Sequence, residues 1–188
     1  LTLDQKIGQL LLPRGNYSGK PHDVATLKSW VKEYHIGGIV FFASNPTQQA
    51  LLTNELQTIA STPLLIGQDL EWGVGMRLDS TDRFPYAVSL GAMNAHEELI
   101  EEMGQEVARQ CRRIGVHINY APVMDVNNNP NNPVINFRSF GADKDKVTAK
   151  GLAYMKGMQS MHLLCTAKHF PGHGDTDVDS HHALPLIM

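Results

Sequence analysis

Short unbroken apolar runs alternate along this chain with longer segments whose apolar residues return every three or four positions. The first pattern predicts buried strands and the second amphipathic helices. A short helix is expected from about Leu3, with Thr2 as its cap. Gln9-Leu10-Leu11-Leu12 reads as the first strand, and Val24, Leu27, Trp30, Val31 and Tyr34 as one face of the next helix. Gly37 to Phe42 is the second strand, and Pro46 opens a helix carrying Leu51, Leu52, Leu56 and Ile59 on one face. Leu64-Leu65-Ile66 is the third strand, followed by a long loop from Asp69 to Pro85. Glu97 to Ile114 is the most strongly patterned helix, with Leu99, Met103, Val107 and Cys111 at steps of four. Val116 to Ala121 is the fourth strand. The Asn- and Pro-rich run from Asn127 to Pro133 excludes helix and sheet core. Lys144 to Met161 is helical, Leu163 to Ala167 is the fifth strand, and the remainder is loop.

Five strand-then-helix units predict an α/β fold with a parallel sheet and helical crossovers. Both the open doubly wound sheet and the closed (β/α)8 barrel of the TIM type use this order. Ionisable residues help choose: Asp69 and Glu71 follow the third strand, Asp125 the fourth, and Lys168 and His169 the fifth. Chemistry spread over several strand C-termini is the habit of the barrel. A doubly wound sheet gathers its ligand at one switch point, and no GxGxxG follows the first strand. The expectation is a (β/α)8 TIM-type barrel. A whole one takes about 250 residues, so the chain would cover about the first five β/α units. No linker divides it. The start at Leu1 and the apolar end at Met188 read as cuts, so residues 1–188 are expected to be the N-terminal part of a single barrel domain.

Composition narrows the function classes. With 42% hydrophobic and 19% charged residues, the 188-residue chain is an ordinary globular sequence and not a disordered one. A net charge of −3 without a basic run argues against nucleic acid or an anionic membrane surface as partner. No apolar stretch is long enough for a membrane span, and no signal peptide is evident. The two cysteines, Cys111 and Cys165, lack metal-type or redox-type spacing, and Cys165 reads as a buried small residue.

The densest chemistry runs from Lys168 to His182, with four histidines, three aspartates and a lysine directly after a strand. One reading is a metal site. Asp175-x-Asp177-x-Asp179 resembles the start of a calcium loop, but it lacks the Gly at position six and the Glu at twelve, and no HExxH is present. No metal and no cofactor is therefore expected. The other reading is acid/base chemistry. In an extended loop Asp179 and His181, two apart, project to one side; a carboxylate on one ring nitrogen leaves the other to exchange protons near neutral pH.

Lys168-His169-Phe170-Pro171-Gly172-His173-Gly174-Asp175, followed by Asp179-Ser180-His181 and Pro185, resembles the signature of glycoside hydrolase family 3. More narrowly it resembles the β-N-acetylglucosaminidase, NagZ-like branch. Lys6 to Leu10, Gly37-Gly38-Ile39, Asp69-x-Glu71-x-Gly73 with Arg77, Ala121 to Val126, and Arg138 to Gly141 match further segments of the family in order.

The resemblance implies retaining hydrolysis of terminal β-N-acetylglucosaminides, from peptidoglycan fragments or chitooligosaccharides. His181 would serve as acid and then base, with Asp179 orienting it. Asp69, Arg77, Arg138, Lys168 and His169 would line the subsite for the terminal sugar. Asp125 would be a buried structural carboxylate, and His173 a support for the loop. A β-glucosidase, xylosidase or glycoside phosphorylase of the same family, a non-catalytic sugar-binding fragment, and a metal-dependent hydrolase are the alternatives. The family's nucleophile is an aspartate on a later strand, so the chain is expected to stop short of it and to be inactive alone. Open sheet edges would favour self-association. A bacterial periplasm or cytoplasm would both be compatible. Trp72 stands where the family usually has Gly, and packing is expected of it more than stacking on a sugar.

Overall fold

The computed structural model describes residues 1–15 and 21–187; Met188 lies outside them. Among the described residues five strands form one sheet in the order β1-β2-β3-β4-β5: Arg14–Gly15, Gly38–Phe41, Leu65–Gln68, Ile118–Asn119 and Leu164–Cys165. Every neighbouring pair is parallel. The order never reverses, so the sheet has no switch point of the doubly wound kind. A strictly sequential parallel sheet is the start of a (β/α) barrel.

Among the described residues six α-helices connect or precede the strands: α1 Leu3–Gly8, α2 Pro21–Glu33, α3 Pro46–Ile59, α4 Ala87–Gly91, α5 Glu97–Arg113 and α6 Lys144–Ser160. Local chemistry sets their starts. Thr2 and Gln5 form a reciprocal capping box on α1. Asn45 accepts from the Thr47 and Gln48 amides, with Pro46 in the first turn of α3. Asp143 caps α6 through the Asp145 and Lys146 amides. Consecutive helices α2 and α3, and α5 and α6, pack side by side over the sheet. The core lies between Ile39, Phe41 and Ile66 of the strands and Leu27, Leu56, Val107 and Met158 of the helices.

The strand expected at Gln9 to Leu12 is a correction. Gln9 instead closes α1, and the amides of Leu10 and Leu11 bond back to Ile7 and Gly8. Leu10 is 79% exposed, and the chain reaches the sheet only after Pro13, at Arg14. The apolar run was real, but the capped helix consumed its residues first. The other four strands fall where expected, three of them shorter than their apolar runs and the third extended past Ile66 to Gln68.

Two helix faces are also corrected. Leu99 is 49% exposed, and the buried face of α5 runs through Ile100, Met103, Gly104, Val107, Ala108 and Cys111. Steps of four overrun the 3.6-residue turn and drift off the face. Leu51 is likewise exposed on α3, while Leu52 and Leu56 are buried. Cys165 is only half-buried; Cys111 is the buried thiol, and desolvation pushes it up to about 12.

Helices α5 and α6 approach backbone to backbone at Gly104 and Gly157. A Cβ on Gly157 would collide with the Glu101 carbonyl and lie 3.0 Å from the Gly104 Cα. Gly157→Ala should therefore destabilise the fold by about 1–3 kcal/mol, although Ala is the better helix former by about 1 kcal/mol. Urea unfolding of the variant beside the parent reads this directly.

Candidate active site

Loops after β3, β4 and β5 meet at the C-terminal end of the sheet. Asp69 follows β3 directly. The next residue, Leu70, is held by Asn119 of β4, which accepts from its amide at 2.9 Å and donates to its carbonyl at 3.2 Å. Tyr154 of α6 donates to the same carbonyl at 3.3 Å. A buried amide and a buried phenol thus fix the backbone between Asp69 and Glu71.

Those two carboxylates share one ammonium. Lys168 Nζ lies 2.9 Å from Asp69 Oδ1 and 2.7 Å from Glu71 Oε1. Arg77 donates to Asp69 Oδ2 at 3.1 Å. Arg138 takes Glu71 in a two-point contact, Nε to Oε2 at 3.0 Å and Nη2 to Oε1 at 2.7 Å. Three cations thus surround two anions. Burial pushes Asp69 up, but Lys168 and Arg77 outweigh it and hold its carboxyl below the usual range. Burial is likewise the largest influence on Glu71, overcome by Arg138 and Lys168.

The sign of the pH effect follows. A carboxylate whose folded pKa is depressed contributes stability that is full above its ordinary value, near pH 4, and is lost as pH falls through the folded value. Thermal midpoints should stay level from pH 7 to 5 and drop below about pH 4. Glu71→Gln should flatten that drop, which a series of melting curves would show.

His169 belongs to a second group. Its Nδ1 lies 2.6 Å from Asp125 Oδ2, and the amide of His173 donates to Asp125 Oδ1 at 2.7 Å. The Asn-rich loop grips the same segment: Asn132 donates to the His173 carbonyl at 2.6 Å, and Asn129 to the carbonyls of Asp175 and Thr176. Ser139 Oγ donates to the Asp125 carbonyl at 2.6 Å. A cavity of about 440 Å³ opens here, lined by Asp125, Asn128, Lys168, His169 and Gly172 among others.

Asp179 and His181 do pair, but through a turn and not an extended loop. Asp179 Oδ1 takes both the His181 amide at 2.9 Å and its Nδ1 at 2.6 Å, while the Asp179 carbonyl accepts from His182 and Ala183. A turn brings residues two apart together as an extended chain would, so the pairing is right and its stated cause is wrong. The His181 ring is 80% exposed. The His181 amide and then its ring hold the Asp179 carboxyl below its ordinary value. Among the described residues no hydrogen bond or ion pair joins this pair to the Asp69 group.

Glu71 and Asp125 are the residues the sequence reading left out of the site. Glu71 could have been found: three cations and one expected carboxylate leave charge to balance. Trp72 packs edge-on against Tyr86, 4.9 Å between ring centres, and Tyr86 stacks obliquely on Phe137 at 4.6 Å. No three His, Cys, Asp or Glu side chains converge as metal ligands would among the described residues, and no described helix is long and apolar enough to cross a membrane.

Comparison with known proteins gives these shapes a context. Residues 2–188 match the family model described as the glycosyl hydrolase family 3 N terminal domain. The Beta-hexosaminidase A of Pseudoalteromonas piscicida is 36% identical over all of the chain, which spans 36% of that relative's length. A solved glycoside hydrolase family 3 beta-N-acetylglucosaminidase from Paenibacillus sp. str. FPU-7 superposes with a TM-score of 0.84 at 39% identity, covering 98% of this chain and 36% of its own. The beta-glucoside phosphorylase BglX bound to 2FGlc superposes with a TM-score of 0.85 at 27% identity, covering 96% of this chain and 32% of its own.

Proposed function

Because this chain belongs to glycosyl hydrolase family 3, as part of its N-terminal domain, we propose that the protein carrying it is a retaining β-N-acetylglucosaminidase. In this reading it removes terminal non-reducing N-acetylglucosamine from peptidoglycan fragments or chitooligosaccharides. The observation that carries the reading is the Asp179–His181 pair. Asp179 occupies Nδ1 at 2.6 Å, which leaves Nε2 of an 80% exposed ring free to give and take a proton. The relatives named as β-hexosaminidases support the choice of sugar.

The roles follow from donor chemistry. Asp69 accepts from sugar hydroxyls, and Arg77 and Lys168 both hold it and donate to oxygens around it. Arg138, fixed by Glu71, presents its remaining N–H groups. His169 completes the subsite. His181 protonates the departing oxygen and then deprotonates the incoming water, as the acid/base of a retaining mechanism must. The covalent partner is an aspartate on a later strand of the full-length protein, with residues 1–188 forming the N-terminal part of one catalytic barrel.

A second reading is phosphorolysis, favoured by the likeness to the beta-glucoside phosphorylase. An imidazole acid/base, unlike a carboxylate, need not repel an incoming phosphate. The test is release of a chromophore from a β-N-acetylglucosaminide and from the matching β-glucoside by the full-length gene product, with and without inorganic phosphate. Turnover of the N-acetyl sugar in water supports hydrolysis. A sugar phosphate as product moves the assignment to the phosphorylase, and turnover of the glucoside alone moves the sugar.

A further inference from the structure

His169 stands at the cavity with a carboxylate behind it. The Asp125 side chain is 1% exposed and that of His169 is 34% exposed. Asp125 Oδ2 lies 2.6 Å from His169 Nδ1 and accepts from the His169 amide at 3.2 Å. Its other oxygen accepts from the His173 amide at 2.7 Å. Both oxygens are thus engaged by one loop, and the carboxylate cannot turn without leaving a buried amide unpaired.

An ionised carboxylate only accepts hydrogen bonds. Burial pushes Asp125 up, yet the ring of His169 and the amides of His173 and His169 outweigh it and keep the carboxyl below its ordinary range. The hydrogen in the 2.6 Å contact therefore sits on Nδ1. In a neutral imidazole, Nε2 is then left with a lone pair.

We propose that Asp125 is a positioning residue that locks His169 in the Nδ1–H tautomer, so that Nε2 meets the ligand as an acceptor. His169 lines the cavity, whereas the ammonium of the preceding residue, Lys168, is held by Asp69 and Glu71 at 2.9 Å and 2.7 Å. An acceptor at Nε2 calls for a ligand group that brings a hydrogen, as a hydroxyl does. A carboxylate or phosphate oxygen has no hydrogen to offer Nε2. The ligand class, a sugar hydroxyl, rests on the proposed function; the tautomer does not.

The test uses the full-length gene product labelled with 15N-histidine, observed by NMR at a pH where the ring is neutral. His169→Gln assigns the signal by its loss. The wild-type ring should show a protonated Nδ1 and a bare Nε2; a protonated Nε2 overturns the proposal. Asp125→Ala leaves Nδ1 without its acceptor and should shift the ring toward the Nε2–H form that an unconstrained neutral imidazole prefers, and a folded variant that keeps Nδ1–H overturns it as well. If Asp125→Ala does not fold, the wild-type spectrum still decides. In kinetics, Asp125→Ala should lower kcat/KM about 10- to 100-fold, mainly through KM, because nothing then holds the ring with its acceptor toward the ligand. The double variant with His169→Gln should be no worse than His169→Gln alone; additive losses would count against action through His169. Should no glycoside be turned over, the proposed function fails while the spectrum still reports the tautomer.

Discussion

Replacing His181 by Ala in the full-length gene product is expected to slow hydrolysis of unactivated β-N-acetylglucosaminides by roughly 10²–10⁴-fold, the usual contribution of a positioned acid/base. The loss should shrink sharply on nitrophenyl glycosides, whose leaving group departs without a proton. Asp179→Ala should reproduce much of it, because without the carboxylate the ring loses the 2.6 Å contact that fixes its orientation. The double variant should then be little worse than His181→Ala, since the pair acts as one device. Steady-state rates across leaving groups of graded pKa measure all of this. Equal losses on good and poor leaving groups would remove His181 from the acid role. The dyad and Asp125–His169 share the same contact length, but Asp179 is more exposed than Asp125 and its ring far more exposed than that of His169.

The second large effect is expected at Glu71. Its side chain is 5% exposed, and its partners Arg138 and Lys168 are 18% and 14% exposed. Glu71→Gln keeps the shape but removes the charge that two half-desolvated cations share. Breaking one side of a buried pair costs about 3–5 kcal/mol. The low end of about 3 kcal/mol applies, because Asp69 still faces Lys168. That is a large part of an ordinary domain's stability of 5–15 kcal/mol. Activity should fall too, since Arg138 loses the two-point contact that aims it. Denaturant unfolding and kcat/KM on the same preparation separate the two losses. A Glu71→Gln protein as stable as the parent would mean that the cations find other partners, and that Glu71 is not what holds the site together.

Much of the site was legible because its residues follow strand ends in order. Asp69, Lys168 and His169 follow from one rule, that polar residues directly after barrel strands line the C-terminal face, whereas Arg77 and Arg138 came only with the family resemblance. The rule could not say which of them touch. His169 falls in with Asp125, and Arg138 reaches the Asp69 group only through Glu71, because a 2.7 Å contact depends on loop paths that periodicity does not encode. The Asn-rich loop shows the same limit. Its composition said only that it was neither helix nor sheet, and its use as a clamp on the His173 to Thr176 backbone emerged when the two loops were adjacent.

The sequence by itself determined what is local or periodic. Helix caps at Thr2, Asn45 and Asp143 need only neighbours within three residues, and buried strands need only an apolar run between turns. The order of units then implied the parallel sheet and the barrel. The tertiary structure alone decided what depends on contacts far apart in the chain. It showed that the chain joins the sheet at Arg14 and not at Gln9, that Ile100 and not Leu99 faces the core, and that Glu71 pairs with Lys168 and Asp125 with His169. The physical reason is one of range. Hydrogen bonds within a turn and the 3.6-residue helix repeat are written into consecutive residues. Buried charges are placed by whichever partners, 44 to 99 residues away, can satisfy them.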